Sequence, residues 1–269
     1  MQKMNKKIAI IGGGNLGTAI AEGLIASGFV VPAQILITKR NIETLAPLKE
    51  QGVRVSSDNS EAVRFADVLI LAVKPFQVVD VLRGIKDELN ESTQILVSVV
   101  TGVYIKDIHS IVEKTLPVFR AMPNTAIAIR QSITCISHEH AKQADLEFVH
   151  DLFDQLGKTI MIDEKLMDAA TVLGACGTAF AMRYIRANIQ GGIEIGFSAA
   201  TASLIAAQTV KGAAELLLQH NTHPEQEIDK VTTPKGCTIA GLNEMEHQGF
   251  SSSLIKGLTA SYSKITTDM

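Results

Sequence analysis

The sequence lacks tryptophan altogether, and aromatic residues make up only 4% of its 269 residues. Surfaces that stack nucleic-acid bases need aromatic side chains, so none is expected here. The formal net charge of −3 also argues against a basic nucleic-acid surface. No apolar run approaches the roughly 18 residues of a membrane span, and the first predicted strand begins too early for a signal peptide. We therefore expect a cytoplasmic protein that binds neither nucleic acid nor membranes.

Cysteine is also scarce, with three residues at Cys135, Cys176 and Cys237. Their odd number and wide spacing argue against a disulfide framework and fit a reducing compartment. His138 and His140 have a spacing that a metal ion can use, but no carboxylate or cysteine cluster completes a ligand set. We therefore expect no metal centre and interpret this pair as a solvated helix start.

The N-terminal segment has the order strand, glycine turn, helix. Ile8–Ile11 is an apolar run typical of a buried strand. Gly12, Gly14 and Gly17 follow with the spacing G-x-G-x-x-G, and a helical apolar pattern comes next. This order is the one that a dinucleotide-binding fold needs, so we predict a dinucleotide site here. A glycine turn without a ligand is the alternative.

The predicted helix would bind the pyrophosphate at its N-terminus, which Asn15 and Leu16 open. Free N–H groups and the positive end of the helix dipole attract an anion there. Gly12 allows the tight turn, Gly14 lets the pyrophosphate approach the backbone, and Gly17 lets the helix pack close to its strand.

The second predicted strand, Ile35–Ile37, ends in Thr38, Lys39 and Arg40. A site that prefers NAD usually carries Asp or Glu here, to accept a hydrogen bond from the ribose 2′-hydroxyl. Lys39 and Arg40 instead suit the 2′-phosphate of NADPH. We predict NADPH as the cofactor, with NADH possible. A solvated pair of loop cations is the alternative.

The fourth predicted strand, Val68–Val73, ends at Lys74 and Pro75. Ligands of open α/β sheets bind at the carboxyl ends of the strands. We therefore expect the end of this strand to border the cofactor. The residues concerned are Ala72, Val73, Lys74 and Pro75.

The alternation of strands and helices continues to Asp163 and then stops. We predict a helix over Phe76–Leu89. We also predict a strand over Ile127–Ile136, and a turn near Arg130 and Gln131 is the alternative to an unbroken strand. From Lys165 onward the pattern is helical and rich in Ala, Gly, Ile and Leu. We therefore predict an α/β fold with two domains: a Rossmann-type doubly wound sheet over 1–163 and an all-helical domain over 164–269. The helical part carries more apolar residues than one small layer can bury, so we expect at least a homodimer.

The segment from Val231 to Leu242 reads as a helix N-terminus with small and hydroxylic residues. Thr233 is the predicted N-cap, Pro234 the first-turn proline, and Gly236 permits a close backbone approach. Such an end attracts an anion, for example a carboxylate. An ordinary capped helix is the alternative.

Five segments, in the right order along essentially the whole chain, resemble motifs of the Δ1-pyrroline-5-carboxylate reductase family. They are IGGGNLG at 11–17, LAVKP at 71–75, MPNT at 122–125, HP at 223–224 and TTPKGCTIAGL at 232–242. The last of these is specific to the family. The resemblance implies an N-terminal Rossmann domain and a helical C-terminal dimerisation domain, often assembled into larger rings. It also implies reduction of pyrroline-5-carboxylate to proline with NAD(P)H.

The resemblance further implies roles for individual residues. The Thr238 hydroxyl would lie near the ring nitrogen or the carboxylate of the substrate. Lys74 would lie beside the nicotinamide ribose and Asn59 beside the adenine ribose. Thr238 and Lys74 are therefore the catalytic candidates. The substrate-binding candidates are Thr233, Lys235, Gly236, Cys237 and Thr238.

The chain departs from the family's pattern at two segments. Leu173–Ala179 reads LGACGTA where Ser-Gly-Ser-Gly-Pro-Ala is usual. Lys235 replaces the first glycine of a Gly-Gly pair, and Cys237 replaces a threonine. Lys235 conflicts with the backbone if the turn requires a positive φ; alternatively it adds a cation beside the substrate carboxylate.

Two other functions fit parts of the pattern. Another imine or β-hydroxyacid reductase would share the two-domain plan, but a β-hydroxyacid enzyme needs a catalytic lysine on the helix after the boundary. Lys165 precedes that helix and is a poor candidate. A non-enzymatic protein that binds NADPH is the other alternative, and only the altered loops suggest it.

Overall fold

Eight strands form one sheet in the computed structural model, which describes residues 6–268. Their order across the sheet is 3-2-1-4-5-6-7-8. The strands in chain order are β1 (Ile8–Ile11), β2 (Ile35–Thr38), β3 (Arg54–Ser56), β4 (Val68–Leu71), β5 (Ile95–Ser98), β6 (Val118–Met122), β7 (Ser132–Glu139) and β8 (Gly157–Met161).

The α-helices of residues 6–268 connect these strands and form the C-terminal part of the chain. They are α1 (Asn15–Ala26), α2 (Ala46–Glu50), α3 (Asn59–Phe65), α4 (Val78–Ile85), α5 (Ile105–Val112), α6 (Gln143–Asp154), α7 (Met167–Ala170), α8 (Gly177–Glu194), α9 (Ala199–His220), α10 (Pro224–Val231), α11 (Cys237–His247) and α12 (Phe250–Asp268). Within this described part of the chain, none of the helices has the length and apolarity needed to span a membrane.

The first six strands run parallel, in the order of a Rossmann fold, so the predicted doubly wound sheet is confirmed. The strand order reverses between β1 and β4. At this point Ile11 lies opposite both Thr38 and Leu71, so three strands end side by side. Ligands of such sheets bind in the crevice outside this reversal. The last two strands differ, because β7 is antiparallel to β6 and parallel to β8.

Alternate residues of the central strands pack into two cores, one on each face of the sheet. Ile8 and Ile10 belong to a cluster that includes side chains of α1 and α6. Ala9 and Ile11 belong to a second cluster, with side chains of α3, α4 and α5. Strands covered on both faces read as continuous apolar runs. This is why Ile8–Ile11 could be recognised from the sequence.

One buried cation interrupts the apolar strand β6. Arg120 is fully buried, and its Nη1 donates to Glu164 Oε1 at 3.2 Å. Its Nη2 lies 3.8 Å from Asp168 Oδ1, and its guanidinium lies 4.7 Å from the ring centroid of Tyr104. The Tyr104 hydroxyl donates to Asp168 Oδ2 at 2.6 Å. This hydrogen bond is the largest of the effects that raise the pKa of Tyr104 above its usual value. The network ties β6 to the segment that follows β8.

The chain divides into two compact units. The sheet unit comprises residues 6–176 and 264–268, and the helical unit comprises 177–263. Composition of the sequence places the domain boundary at 163, before the 3₁₀ turn Glu164–Leu166. That boundary remains a prediction.

The helical unit packs α8 against α9, with little else buried. A Cβ added to Gly192 of α8 would lie 3.0 Å from the Ala202 Cβ of α9, so the small residue allows a close helix contact. In this unit, only Ala202 and Ala206 are buried hydrophobic residues. Several large apolar side chains are exposed instead, namely Met182, Ile193, Ile195, Leu204, Leu218 and Ile255.

Two predicted elements of the sheet unit differ in part from the structure. The strand predicted over Ile127–Ile136 begins only at Ser132, because Asn124 caps a 3₁₀ helix over Thr125–Ile129. The Asn124 side chain accepts from the Ala126 N–H at 3.0 Å. The single helix predicted over Phe76–Leu89 is α4 flanked by two 3₁₀ turns.

Candidate functional site

A cavity of about 300 Å³ opens at the carboxyl ends of β1, β2 and β4 in the sheet unit. It lies where the strand order reverses, which is the expected place for a ligand in this fold. Eight of the twelve predicted cofactor residues line it, namely Gly12, Gly14, Lys39, Arg40, Asn59, Ala72, Val73 and Lys74. Asn15, Leu16, Gly17 and Pro75 do not line it.

The glycine turn is held in a shape that larger residues cannot adopt. Gly12 has a φ of +114°, and a Cβ there would lie 2.5 Å from the Ala72 carbonyl oxygen. A Cβ on Gly17 would lie 2.1 Å from the Gly12 carbonyl oxygen, which lets α1 pack directly against the turn. The Gly12 and Gly13 N–H groups donate to the Thr38 carbonyl at 3.2 and 2.7 Å. The turn is therefore fixed to the end of β2.

The N-terminus of α1 faces this turn without a side-chain cap. The helix begins at Asn15, and its N-cap Gly14 makes no side-chain hydrogen bond. The first turn of a helix leaves backbone N–H groups free for another acceptor. Added to the helix dipole, these N–H groups make a site suited to a phosphate. A Cβ on Gly14 would meet nothing within 4 Å, so the backbone here is open to a ligand.

Two cations without carboxylate partners stand at the end of β2. Lys39 and Arg40 line the cavity, and neither forms a salt bridge with the described residues. Nearby, the Thr38 hydroxyl donates to Asn59 Oδ1 at 2.7 Å, which fixes the Asn59 amide beside them. The electrostatics of this corner favour an anionic group such as a 2′-phosphate.

Six further cavity residues were not among the predicted ones, namely Ile11, Gly13, Thr38, Ser57, Gln77 and Val81. Ser57 follows β3, so the strand-end rule that predicted Ala72 could have found it. Gln77 accepts from the Lys74 N–H at 3.2 Å and so supports the bend after β4. Val81 lies on α4, and no motif in the sequence indicates its position.

The predicted substrate residues lie in the loop between α10 and α11 and in the first turn of α11, all in the helical unit. The His223-Pro224 motif starts α10, where His223 Nδ1 accepts from the Glu225 N–H at 3.3 Å. After α10, the Gly236 N–H donates to the Thr233 carbonyl at 2.9 Å, closing a four-residue turn. α11 then begins at Cys237, with Thr238 in its first turn.

The predicted cap of this helix is wrong. Gly236, and not Thr233, is the N-cap of α11, and Pro234 lies in the preceding turn. Proline followed by a residue with positive φ is the pattern of a type II turn. A Cβ on Gly236 would lie 2.6 Å from Thr233 Oγ1, so the turn closes tightly on this glycine. The α11 N-terminus has no side-chain cap, which leaves its N–H groups open to a ligand.

Lys235 occupies the position of the turn that requires a positive φ. Its φ is +61°, a left-handed conformation that glycine adopts freely and lysine does at a cost. The turn therefore does require a positive φ at Lys235, and the fold tolerates a lysine there. The Lys235 side chain is exposed and forms no salt bridge within 6–268. It adds an unpaired cation next to the open end of α11.

The second divergent segment begins as an irregular helix. Thr171–Cys176 forms a π-helical turn that leads into α8 at Gly177. Asn124, which belongs to the MPNT motif, donates through Nδ2 to the Gly174 carbonyl at 3.2 Å. Single π-turns inside helices occur often at functional sites.

Two segments of the chain match known protein families. Residues 164–267 match the family described as pyrroline-5-carboxylate reductase dimerisation. Residues 7–102 match the family described as NADP oxidoreductase coenzyme F420-dependent.

Whole-chain relatives agree with these matches. The chain is 46% identical to pyrroline-5-carboxylate reductase 2 of Dictyostelium discoideum, over 97% of this chain and 93% of that protein. It is 50% identical to pyrroline-5-carboxylate reductase 1 of the same organism, over 98% of this chain but only half the length of that protein. The structure of Plasmodium falciparum pyrroline carboxylate reductase with NADP bound has a TM-score of 0.88 at 26% identity, over 97% of both chains.

The extent of these matches decides the family. A relative with 46% identity aligns along almost its full length with almost all of this chain. The Rossmann-type sheet and the helical C-terminal part are those that the resemblance implies. The chain belongs to the pyrroline-5-carboxylate reductase family.

Proposed function

We propose that this chain reduces 1-pyrroline-5-carboxylate to L-proline with NADPH. In this proposal the sheet unit holds the cofactor and the loop before α11 binds the substrate. The observation that carries it is the cavity at the strand reversal, where a glycine turn, an uncapped helix end and two unpaired cations converge.

The cavity residues fit NADPH group by group. The pyrophosphate takes the glycine turn and the N-terminus of α1, with Gly14, Asn15 and Leu16 supplying backbone. Lys39 and Arg40 bind the 2′-phosphate, and Asn59 lies beside the adenine ribose. No acidic residue stands at the end of β2 to select NAD. NADPH is therefore preferred, and NADH remains a weaker alternative substrate.

The end of β4 places the reactive end of the cofactor. Ala72 and Val73 line the cavity, and Pro75 directs the chain away from it. Lys74 has an extended backbone with ψ of 149°, as a residue before proline should, and its side chain is exposed at the cavity. In this role Lys74 lies beside the nicotinamide ribose and orients it.

The loop before α11 binds the substrate carboxylate. The open N–H groups of Cys237 and Thr238 supply donors, and the helix dipole favours negative charge. Lys235 adds a cation to the same anion, and Thr233 shapes the turn. The Thr238 hydroxyl reaches the ring nitrogen or the carboxylate from the first turn of α11.

When bound, the cofactor supplies a hydride to the carbon of the imine C=N bond, and the nitrogen gains a proton. Because a cyclic imine can enter already protonated, the chain needs no strong side-chain acid. Its task is to orient the two reactants, which can lower a barrier by roughly 7–11 kcal/mol. The Thr238 hydroxyl orients the ring nitrogen.

Three further features complete the proposal. The match to a dimerisation family and the exposed apolar side chains support a homo-oligomer. We propose a homodimer or a larger ring built from dimers. We also propose a cytoplasmic location and a domain boundary at 163/164.

A β-hydroxyacid substrate is disfavoured by the position of Lys165. This residue lies in a 3₁₀ turn before α7, where its Nζ pairs with Asp163 Oδ2 at 2.7 Å. It is not on the helix that would carry the catalytic lysine.

Oxidation of NADPH by the purified chain with racemic pyrroline-5-carboxylate tests the proposal. We expect rapid oxidation that stops when half of the racemate is consumed, with L-proline as the product. Oxidation of a β-hydroxyacid with NADP⁺ would favour the related reductase instead. NADPH binding without turnover of either substrate would support a non-enzymatic role.

A further inference from the structure

We propose that His109, Glu139 and His140 bind a divalent transition-metal ion of the Zn²⁺ class. Their candidate ligand atoms all lie within 4.8 Å of one another. The three residues come from two elements of the sheet unit, since His109 is on α5 and Glu139 ends β7. This site is separate from the cofactor cavity and from the reaction proposed above.

The donor atoms converge on one point without contacting each other. His109 Nε2 lies 3.8 Å from Glu139 Oε2, and His140 Nε2 lies 3.8 Å from Glu139 Oε1. Both separations are too long for hydrogen bonds. The two imidazole rings meet edge to face, with centroids 5.0 Å apart. The carboxylate therefore stands between two imidazole nitrogens, with room for an ion.

His109 is already oriented as a metal ligand. Its Nδ1 lies 3.1 Å from the Lys114 carbonyl oxygen. A carbonyl only accepts, so Nδ1 carries the proton and Nε2 carries the lone pair in the neutral ring. Histidines that bind metals usually donate their other N–H to a carbonyl or carboxylate in this way. The Lys114 ammonium is engaged elsewhere, donating to the Leu89 carbonyl at 2.6 Å.

The Nε2 atom of His109 is the second observation that points to a ligand. It is buried and has no hydrogen-bond partner among residues 6–268. A buried polar atom without a partner is costly, and in native structures it signals a missing partner such as an ion. Here the missing partner would lie on the side that Glu139 and His140 occupy.

The backbone brings Glu139 and His140 to the same side. Neighbouring residues of a strand point to opposite faces. His140 departs from this rule with a φ of +58°, just after β7 ends. His138 keeps the strand geometry and packs against Phe119, with ring centroids 5.7 Å apart. The pair of histidines that the sequence suggested, His138 and His140, is therefore not the pair that meets, and it lies at a strand end rather than a helix start.

Two imidazoles and one carboxylate suit Zn²⁺ and similar ions better than Mg²⁺ or Ca²⁺, which prefer oxygen ligands. Zinc bonds of about 2.0–2.1 Å place tetrahedral ligand atoms roughly 3.4 Å apart. The side chains of Glu139 and His140 are 51% and 46% exposed, so they are free to close the remaining distance. Water would complete the coordination.

The site lies at the amino ends of the parallel strands, and the cofactor cavity lies at their opposite ends. Glu139 pairs with Val118, the first residue of β6, because β7 is antiparallel to β6. The cofactor cavity lies at the carboxyl ends of the parallel strands. A bound ion would join α5 to the end of β7 and stabilise the sheet unit without touching the reactants.

Calorimetric titration of the metal-stripped full chain with ZnCl₂ tests the proposal, together with the absorption spectrum of the Co²⁺ form. We expect one ion per chain, a tetrahedral Co²⁺ spectrum and a rise in Tm with Zn²⁺ but not with Mg²⁺. His140→Asn keeps a residue that tolerates positive φ and removes the imidazole. It should weaken Zn²⁺ binding at least ~tenfold and abolish the rise in Tm.

His138→Asn, two residues away, is the matched control and should bind Zn²⁺ as the unmodified chain does. His109→Asn and Glu139→Gln should each weaken binding as His140→Asn does. Zn²⁺ affinity unchanged in His140→Asn would overturn the proposal, and so would binding that depends on the cysteines. If the folded chain binds no Zn²⁺, the three side chains form only an imidazole–carboxylate ion pair, and the proposal is wrong.

Discussion

The sheet unit and the helical unit bury their apolar residues to very different extents. The sheet unit has two large cores, one on each face of the sheet. In the helical unit only Ala202 and Ala206 are buried hydrophobic residues, while Leu204 is 71% and Leu218 74% exposed. Apolar side chains exposed together in this number are typical of an interface. The sheet unit therefore has its own cores within one chain, whereas the helical unit leaves apolar side chains exposed, in agreement with its match to a dimerisation family.

The two units also prepare their binding sites differently. In the sheet unit, strand ends in register hold the glycine turn, and Gly12 and Thr38 are joined by a hydrogen bond. In the helical unit, the loop that we propose as the substrate site is one turn closed by Gly236 and Thr233, and it places Lys235 in a left-handed conformation. In our proposal, cofactor binding therefore depends on the core of the sheet unit, and substrate binding depends on a loop of the helical unit.

Arg120→Ala should give the largest effect and should act on the sheet unit alone. Removing the guanidinium leaves the Glu164 and Asp168 carboxylates without their cation, which costs about 3–5 kcal/mol for a buried pair. Urea unfolding should show this loss at every protein concentration. Arg64→Ala, which removes an exposed partner of Glu88, should cost less than about 1 kcal/mol. Similar losses in the two variants would contradict the account of Arg120.

Leu204→Glu should act on the helical unit and depend on protein concentration. A carboxylate placed in an apolar interface costs several kcal/mol unless it is paired. Analytical ultracentrifugation should show the unmodified chain well above 28.9 kDa and this variant shifted toward that mass. Ile129→Glu changes a sheet-unit residue that is also 71% exposed, and it should leave assembly intact. If the unmodified chain is a monomer, the exposed apolar side chains of the helical unit are not an interface, and the contrast between the two units fails.

Arg40→Ala should separate the two cofactors. Loss of a charge-assisted contact to the 2′-phosphate costs roughly 1.5–3 kcal/mol, so KM for NADPH should rise about tenfold or more while KM for NADH hardly changes. Arg54→Ala is the control. It removes an exposed arginine of β3 that pairs with Glu61 of α3, and it should alter neither KM. Equal effects of Arg40→Ala on both cofactors would contradict the 2′-phosphate assignment.

Lys235→Gly should have the smallest effect. It relieves a left-handed lysine but introduces a more flexible residue, so the free energy of unfolding should change by less than about 1 kcal/mol. The lost cation should raise KM for pyrroline-5-carboxylate a few-fold and leave kcat unchanged, because the carboxylate is bound equally throughout the reaction. Steady-state kinetics at low and high salt would check this. A large fall in kcat would give Lys235 a role in the chemistry.

The sequence predicts best where one local signal dominates. Strand β1 has the predicted bounds, Ile8–Ile11, because its four residues are all apolar and buried. The central strands are covered on both faces and so appear as continuous apolar runs. The glycine turn and the strand ends locate the cofactor cavity for the same reason, since backbone geometry there dictates residue type.

The sequence fails where two local signals compete or where the contact is distant. Ile127 is β-branched and suggests a strand, but the Asn124 cap and the positive φ of Arg130 define a 3₁₀ helix instead. Thr233-Pro234 fits both a helix start and a turn, and the turn forms. His109 and Glu139 are 30 positions apart in the sequence, and only the fold of the sheet unit brings them together.

Kinetics of Thr238→Ala, with Thr238→Ser as the matched control, test most directly the division of labour between the two units. The change removes the hydroxyl and leaves the backbone N–H groups of α11 intact. If the helical unit orients the imine, kcat/KM for pyrroline-5-carboxylate should fall at least tenfold, about 1.4 kcal/mol, with kcat falling too. The Kd for NADPH should stay unchanged, and Thr238→Ser should retain most of the activity. A folded Thr238→Ala protein with unchanged kcat and KM, or one with weakened NADPH binding, would contradict this division.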